Sequence, residues 1–340
     1  MRSATTGVLA LTAALALVLA ACSSGGGHAS NTSTTTVKAA ATVTTTSTTA
    51  PVSTHALEVR AAPWTLPAPL DREVAVTVDG KIFVLGGNRD GGTTAIVDVI
   101  DPATGAATRA GLLAQPAHDA AGGVIGGRPV VFGGGASTVI DAVQQLPASG
   151  PTRVIGHLPQ GRADVSSATL DGVVYLVGGY DGSAPIPDVL ATTDGVTFRT
   201  VGRLAVPVRY PAVAAIGGQL FVVGGATSGG EDAGVDTDVV QRVDLATGAV
   251  SVVAHMTATR SHATAVVLDG RVYVLGGHVS GRWTDQVARL DLASGTSTVV
   301  AHLPQAVSDA AAAVVGNTAY LLGGETGPNH PVSNVAMVSG

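Results

Sequence analysis

A pair of glycines ends the same short pattern six times along the chain. An apolar residue, a two-residue turn and an apolar run precede each pair, as in LDGRVYVLGG at 268–277. The first glycines of successive pairs are 47, 45, 46, 52 and 47 residues apart: Gly86, Gly133, Gly178, Gly224, Gly276 and Gly323. Apolar runs joined by such turns are typical of short strands. A repeat of this length, too small to bury both faces alone, predicts one blade of a β-propeller.

Each repeat contains further apolar runs that complete a four-stranded antiparallel sheet. In the fifth repeat these are HATAVVL at 262–268, VARLDL at 287–292 and TSTVVAHL at 296–303. The sixth repeat ends with SNVAMVSG, after its third strand, whereas HALEVRAAPWTLP at 55–67 precedes the first repeat without a partner. Pairing these two segments removes an unpaired sheet edge. The sequence therefore predicts an all-β, six-bladed propeller over residues 55–340, closed by an N-terminal outer strand that pairs with the last blade.

The diglycine after an apolar and aromatic run, with a nearby Arg or His, resembles the kelch repeat, as in RSHATAVVLDGRVYVLGG at 260–277. Kelch repeats usually carry a Trp in the outer strand. This chain has Thr, Ala or Val there, and only Trp64 lies near such a place. Because aromatic residues make up 3% of the chain, we expect the blades to pack through Val, Leu and Ala.

The N-terminus has the pattern of an export signal. Arg2 is followed by an apolar segment that ends in LAAC at 19–22, which resembles a bacterial lipobox with Cys22 as the lipidated residue. The alternative is an ordinary secretory signal with a chance cysteine. We predict a signal peptide at 1–21, a lipid-anchored disordered tether at 22–54 rich in Ser, Thr, Ala and Gly, and a monomer on the outer face of the bacterial cell membrane. A net charge of −6 disfavours nucleic acid as a partner.

Candidate site residues follow from aligning the repeats, because residues that differ between blades at an equivalent position are free to serve a ligand. The position 14 residues before each diglycine differs in this way, and it opens the innermost strand. The kelch resemblance implies that the loops entering these strands and the loops after the diglycines form one binding face. The candidates on this face are Arg72, Asp119, Arg162, Asp164, Arg209, Tyr210, Arg260, His262, Asp309, Tyr180, His278, Trp283 and Glu325. The alternative is that Arg–Asp pairs here only tie neighbouring blades together.

Function is less constrained than fold. Galactose-oxidase-like enzymes of this architecture need a Cys joined to a Tyr, but Cys22 is the only cysteine. His157, His255 and His302 are equivalent residues on separate outer strands, so they predict structural roles. We expect no cofactor and no metal, and a binding module for a polar ligand, glycan or protein. The alternatives are a sugar mutarotase or epimerase, similar to six-bladed kelch proteins that act on sialic acid, and a structural scaffold.

Overall fold

The computed structural model describes residues 57–89, 91–228 and 235–340, and this part of the chain forms six four-stranded antiparallel sheets. The predicted all-β propeller is confirmed. The predicted signal peptide, Cys22 and the tether lie outside the described residues, as do Asp90, Glu231 and Asp232, which the sequence places in the loops after two diglycines. Within the described residues, no helix has the length and apolar character needed to cross a membrane.

The strands run in chain order from β1 (Glu58–Ala61), which belongs to the last blade. Blade 1 contains β2 (Val74–Val78), β3 (Lys81–Leu85), the short hairpin β4 (Asn88–Arg89) and β5 (Gly92–Thr93), β6 (Ile96–Ile100) and β7 (Ala107–Leu112). Blade 2 contains β8 (Ala121–Ile125), β9 (Arg128–Phe132), β10 (Ala142–Gln145) and β11 (Arg153–His157). Blade 3 contains β12 (Ser166–Leu170), β13 (Val173–Val177), β14 (Asp188–Thr192) and β15 (Arg199–Arg203).

The remaining blades follow the same order. Blade 4 contains β16 (Ala212–Ile216), β17 (Gln219–Val223), β18 (Val239–Asp244) and β19 (Val250–His255). Blade 5 contains β21 (Thr264–Leu268), β22 (Arg271–Leu275), β25 (Gln286–Leu290) and β26 (Ser297–His302), with the short strands β20 (Arg260–Ser261), β23 (His278–Val279) and β24 (Arg282–Trp283) beside it. Blade 6 contains β27 (Ala311–Val315), β28 (Thr318–Leu322) and β29 (Val335–Ser339), and β1 is its outer strand.

The diglycines join neighbouring blades, which explains why the chain repeats them. The N–H of Gly277 donates to the carbonyl of Val307 in the next blade at 2.8 Å, and Gly324 donates to Leu70 at 2.8 Å. Gly276 has φ +59°, and a Cβ there would lie 2.5 Å from the Val307 carbonyl oxygen. A left-handed backbone beside a closely approaching chain favours glycine. The Gly324–Leu70 bond links the last blade to the first.

The hydrophobic core lies between blades. Within the described residues, the buried apolar side chains form six clusters, and each cluster joins two neighbouring blades. Val, Leu and Ala dominate these clusters, as the composition predicts. One cluster brings Ile82 of blade 1 against Leu322 of blade 6. The N-terminal strand β1 lies antiparallel beside β29, with Glu58 opposite Ser339 and Ala61 opposite Ala336, as the sequence predicts.

Candidate functional site

Six residues surround the propeller axis, each two residues before an inner strand. We call them the axis ring: Arg72, Asp119, Asp164, Tyr210, His262 and Asp309. All have φ between 52° and 56°. Their backbones form a chain of hydrogen bonds around the axis, in which the N–H of His262 donates to Tyr210 at 3.1 Å and that of Arg72 donates to Asp309 at 2.9 Å. A left-handed backbone is costly for a residue with a bulky side chain. The fold therefore imposes the same backbone in every blade, whereas the side chain is Asp in three blades and Arg, Tyr or His in the other three.

A second circle of residues follows the diglycines and lies beside the axis ring. We call it the loop ring: Asn88, Gly135, Tyr180, Ala226, His278 and Glu325. Each of its members pairs with the residue immediately before an axis-ring residue, as Glu325 does with Ser308 and His278 with Ser261. This pairing brings the two predicted groups of loops to one face. Tyr180, His278 and Glu325 lie in this ring.

The two arginines of this face are held by carboxylates. Arg72 Nη1 lies 3.2 Å from Asp119 Oδ2, and Arg209 Nη2 lies 2.6 Å from Asp164 Oδ2. The Asp119 carboxylate, more than any other group, raises the pKa of Arg72. Burial, supported by the nearby charge of Asp119, raises the pKa of Asp164 to about 7. The Arg–Asp pairs tie blade 1 to blade 2 and blade 3 to blade 4, which is the alternative role that the sequence left open.

Aromatic rings form a continuous row across blades 4 and 5. The rings of Tyr210 and His262 stack with centroids 3.9 Å apart and an interplanar angle of 26°. His278 lies 4.7 Å from His262, and Trp283 meets the edge of His278 at 4.7 Å and 73°. The guanidinium of Arg209 packs 4.4 Å from the ring centroid of Tyr180. Trp283 reaches the row because β24 pairs with β23, which places it opposite His278.

The row borders a cavity of about 460 Å³ that also contains side chains of blade 6 and blade 1. Its polar lining includes Arg72, Asp236, Asp309 and Glu325. Burial, together with the neighbouring charge of Asp309, raises the pKa of Glu325 to about 7. Burial lowers the pKa of His278. The cavity combines flat aromatic surface with carboxyl groups, which is a composition suited to a polar ligand.

A narrower cavity of about 210 Å³ continues along the axis between the inner strands. Small side chains line it, among them Ala75, Ser167 and Ala312, and Glu73 is the carboxyl group that the sequence analysis missed there. Burial raises the pKa of Glu73 well above its usual value. The alignment of the repeats could have identified Glu73 as a candidate, because the other repeats have Ala, Val or Pro at the equivalent position.

The structure places Arg162 and Arg260 differently from the expectation. Both side chains are buried, and neither lines the two cavities. Arg162 Nη1 donates to the Gly178 carbonyl at 3.1 Å, and Arg260 Nη2 donates to the Gly276 carbonyl at 2.8 Å. Burial lowers the pKa of each guanidinium to about 10. These arginines hold the diglycine backbone of their own blades, so we correct their assignment from ligand contacts to structural anchors.

The outer-strand histidines lie on three separate blades, His157 on blade 2, His255 on blade 4 and His302 on blade 5. Nδ1 of His157, His255 and His302 lies 3.0, 3.0 and 2.9 Å from the carboxylates of Asp141, Asp238 and Asp285. Each pair links the third and fourth strands of one blade.

A different group of metal-ligating types is found at the cavity, where single ligand atoms of His278, Asp309 and Glu325 lie within 4.8 Å of one another. The sequence analysis predicts no metal there.

Comparison with known proteins places the repeat in a family. The Kelch motif matches residues 259–304, which include most of blade 5. Kelch-like protein terF of Aspergillus terreus is 30% identical over 115 residues, which are 33% of this chain and 24% of that protein. Kelch-like protein 35 of Mus musculus is 32% identical over 124 residues, or 36% and 21% of the two chains. The chain therefore contains the kelch repeat. It spans less than a quarter of the length of these curated kelch relatives.

A solved structure supports the same fold. The structure of YjhT superposes on this kelch protein with a TM-score of 0.68, at 15% sequence identity, and the match covers 81% of this chain and 99% of YjhT. At this identity the likeness shows the propeller fold and no shared activity. The function of this kelch protein must therefore be argued from its own side chains.

Proposed function

We propose that this kelch propeller is a binding module whose ligand occupies the 460 Å³ cavity of the loop face. The observation that carries the proposal is the row of Tyr210, His262, His278 and Trp283 beside the carboxyl groups of Asp309 and Glu325. Binding pockets of this size usually combine apolar walls with a few convergent polar groups. Kelch propellers are used as binding and protein-interaction modules, which supports the same function.

The charges around the cavity favour a ligand that donates hydrogen bonds. Arg72 and Arg209 already pair with Asp119 and Asp164, so much of their charge is offset within the protein. Glu325 and Asp309 add acceptors to the lining. Trp283 Nε1 is buried without a hydrogen-bond partner among the described residues, and a ligand oxygen would satisfy it. A glycan, or a peptide side chain with hydroxyl or amino groups, meets these requirements.

Replacing Trp283 by Ala is expected to weaken ligand binding by about ten- to a hundredfold. The change removes the end of the aromatic row and the unpaired Nε1 donor, and a lost stacking contact or hydrogen bond each costs about 0.5–1.5 kcal/mol, with tenfold in affinity per 1.4 kcal/mol. A glycan and peptide array would identify a ligand, and calorimetry would then compare the variants. Arg271→Ala, at the start of β22 beside the turn at the opposite end of blade 5, is the matched control. Equal affinities for wild type and Trp283→Ala would reject this cavity as the binding site.

A sugar mutarotase or epimerase is the second candidate. The observation that favours it is that groups able to transfer protons, His262, Asp309 and Glu325, face one cavity next to an aromatic surface. Six-bladed kelch proteins that act on sialic acid resemble the chain in repeat number. Proton NMR of anomer interconversion, run on a panel of acidic sugars, separates the two functions. Acceleration that disappears in Glu325→Gln supports the enzyme, and binding without acceleration supports the binding module.

The N-terminal sequence supports a membrane-anchored location. We propose that Cys22 carries the lipid and that the polar segment 22–54 connects it to the propeller. Cys22→Ser is expected to move the protein from the membrane fraction to the soluble fraction, because one residue carries the anchor. The melting temperature should not change, since the substitution lies outside the blades. Continued membrane association of the folded variant, measured by fractionation, would contradict the lipobox.

A further inference from the structure

We propose that His278, Asp309 and Glu325 form a binding site for a divalent metal ion, with Zn²⁺ or Mn²⁺ as the best match to the three side chains. The proposal does not depend on a glycan or peptide ligand, because it rests on the arrangement of these residues alone. His278 lies in β23 beside blade 5, Asp309 lies in the loop before β27, and Glu325 lies in the loop after β28. The fold brings them together at one side of the cavity.

The distances between the ligand atoms suit a small cation after a modest adjustment. One atom from each residue lies within 4.8 Å of the other two, so an ion among them starts at most about 2.8 Å from each, against a usual bond of about 2.0–2.2 Å. Side-chain rotations of well under an ångström close this difference. Three protein ligands beside an open cavity leave further coordination positions for water or a bound molecule.

Neighbouring groups hold the ligands in place. Ser308 Oγ donates to Asp309 Oδ2 at 2.8 Å, and the backbones of Ser308 and Glu325 exchange hydrogen bonds of 3.0 and 2.8 Å. The imidazole of His278 is fixed between the rings of His262 and Trp283. Hydrogen bonds to the ligands of a metal, and the packing around them, are what orient such ligands in known sites.

His278 contributes the independent observation that points to a ligand. Its Nε2 atom is buried and has no hydrogen-bond partner among the described residues. A buried polar atom without a partner costs about 1–3 kcal/mol, so proteins rarely retain one without a function. Imidazole nitrogen is a common ligand of zinc and other transition metals. A metal ion bound through Nε2 would remove the cost.

The charges near the cavity favour a cation. Among the described residues that line the two cavities, carboxyl groups outnumber arginines: Glu73, Asp119, Asp164, Asp236, Asp309 and Glu325 against Arg72 and Arg209. The positive charge of Arg72 disfavours a cation, but the Asp119 carboxylate pairs with Arg72 at 3.2 Å and offsets this charge. One imidazole and two carboxylates suit Zn²⁺ and Mn²⁺ better than a soft thiol-seeking ion. The carboxylates of Asp236 and Asp309, which line the cavity of the loop face, add to this attraction.

Calorimetric titration with ZnCl₂ and MnCl₂ tests the proposal on the full-length protein after treatment with EDTA. One site per chain is expected. Glu325→Gln and Asp309→Asn keep the shape of each side chain, and Asn tolerates the left-handed backbone at position 309. Each substitution should lower the affinity for the metal ion more than 100-fold. Ser308→Ala removes only the hydrogen bond to Asp309 and should lower the metal affinity about 10–100-fold.

His302→Ala is the matched control, because His302 and Asp285 form an exposed pair of the same residue types at the rim. It should leave the affinity unchanged. Melting curves verify that each variant is folded. The proposal is overturned if the EDTA-treated protein binds neither ion below 1 mM, or if the bound ion is lost in His302→Ala and retained in Glu325→Gln. Failure to find a glycan or peptide ligand would leave the metal titration unaffected, so the two proposals are tested separately.

Discussion

Deleting residues 55–67 is expected to unfold the propeller at physiological temperature. The deletion removes β1, the outer strand of blade 6, and exposes the edge of β29. It also removes Leu66, which is buried in the cluster between blades 6 and 1, and Trp64, whose ring stacks on Tyr320 at 5.8 Å. Loss of one buried Leu side chain costs about 2–5 kcal/mol. Trp64 is half-buried, so its loss costs less than the about 3–5 kcal/mol of a fully buried Trp. A total stability of about 5–15 kcal/mol leaves little after these losses.

Circular dichroism during heating, with size-exclusion chromatography at 25 °C, measures the effect. Deletion of residues 23–54 is the control, because its Ser- and Thr-rich sequence contributes no apolar repeat and should leave the melting temperature unchanged. If the first truncation cannot be purified, Leu66→Ala gives a graded version with an expected loss of about 2–5 kcal/mol. Equal melting temperatures for the two truncations would show that the N-terminal strand is dispensable.

The fold could be predicted from the sequence because its determinants are local and repeated. The turn Asp269-Gly270 illustrates this, since its φ values of 46° and 68° form the two-residue connection that Asp-Gly favours between antiparallel strands. The diglycines are equally informative, because a backbone approach such as that of Val307 to Gly276 excludes any larger residue. The pairing of β1 with β29 could be inferred because six repeats supply one strand too few at the C-terminus and one extra at the N-terminus.

The candidate site could be predicted only in part, because side-chain direction depends on the register. Arg209 is 15 residues before its diglycine and lines the cavity of the loop face. Arg162 and Arg260 are 16 residues before theirs and bond to the diglycine carbonyls of their own blades instead. In extended chain, successive side chains point to opposite sides, so a shift of one residue reverses the direction. Leu70 and Val307 occupy the equivalent position of Arg260 in other repeats, and their apolar character marks it as buried.

The sequence also could not show which charged side chains pair with one another. The alignment gathers Arg72, Asp119 and Arg209 at one face, but it does not show which charges neutralise each other. Three-dimensional contacts across blades decide this, since Arg72 and Asp119 are 47 residues apart. The cluster of His278, Asp309 and Glu325 was missed for the same reason, because its members belong to two repeats and to different positions within them.

Replacing Arg260 by Ala is expected to lower the free energy of unfolding by about 3–6 kcal/mol. Arg260 is 4% exposed, and its guanidinium donates to the carbonyls of Gly276 at 3.1 and 2.8 Å and of Gln286 at 2.9 Å. A hydrogen bond from a charged donor contributes about 1.5–3 kcal/mol, and two acceptors lose it together. For a domain of this size, 3 kcal/mol corresponds to a fall in melting temperature of roughly 6–12 °C.

Arg289→Ala, at an exposed position of the same blade, is the control and should change the free energy of unfolding by at most about 0.5 kcal/mol. If Arg260→Ala has the melting temperature of the wild type and loses only ligand binding, Arg260 contacts the ligand. That result would reject its role as an anchor of the diglycine.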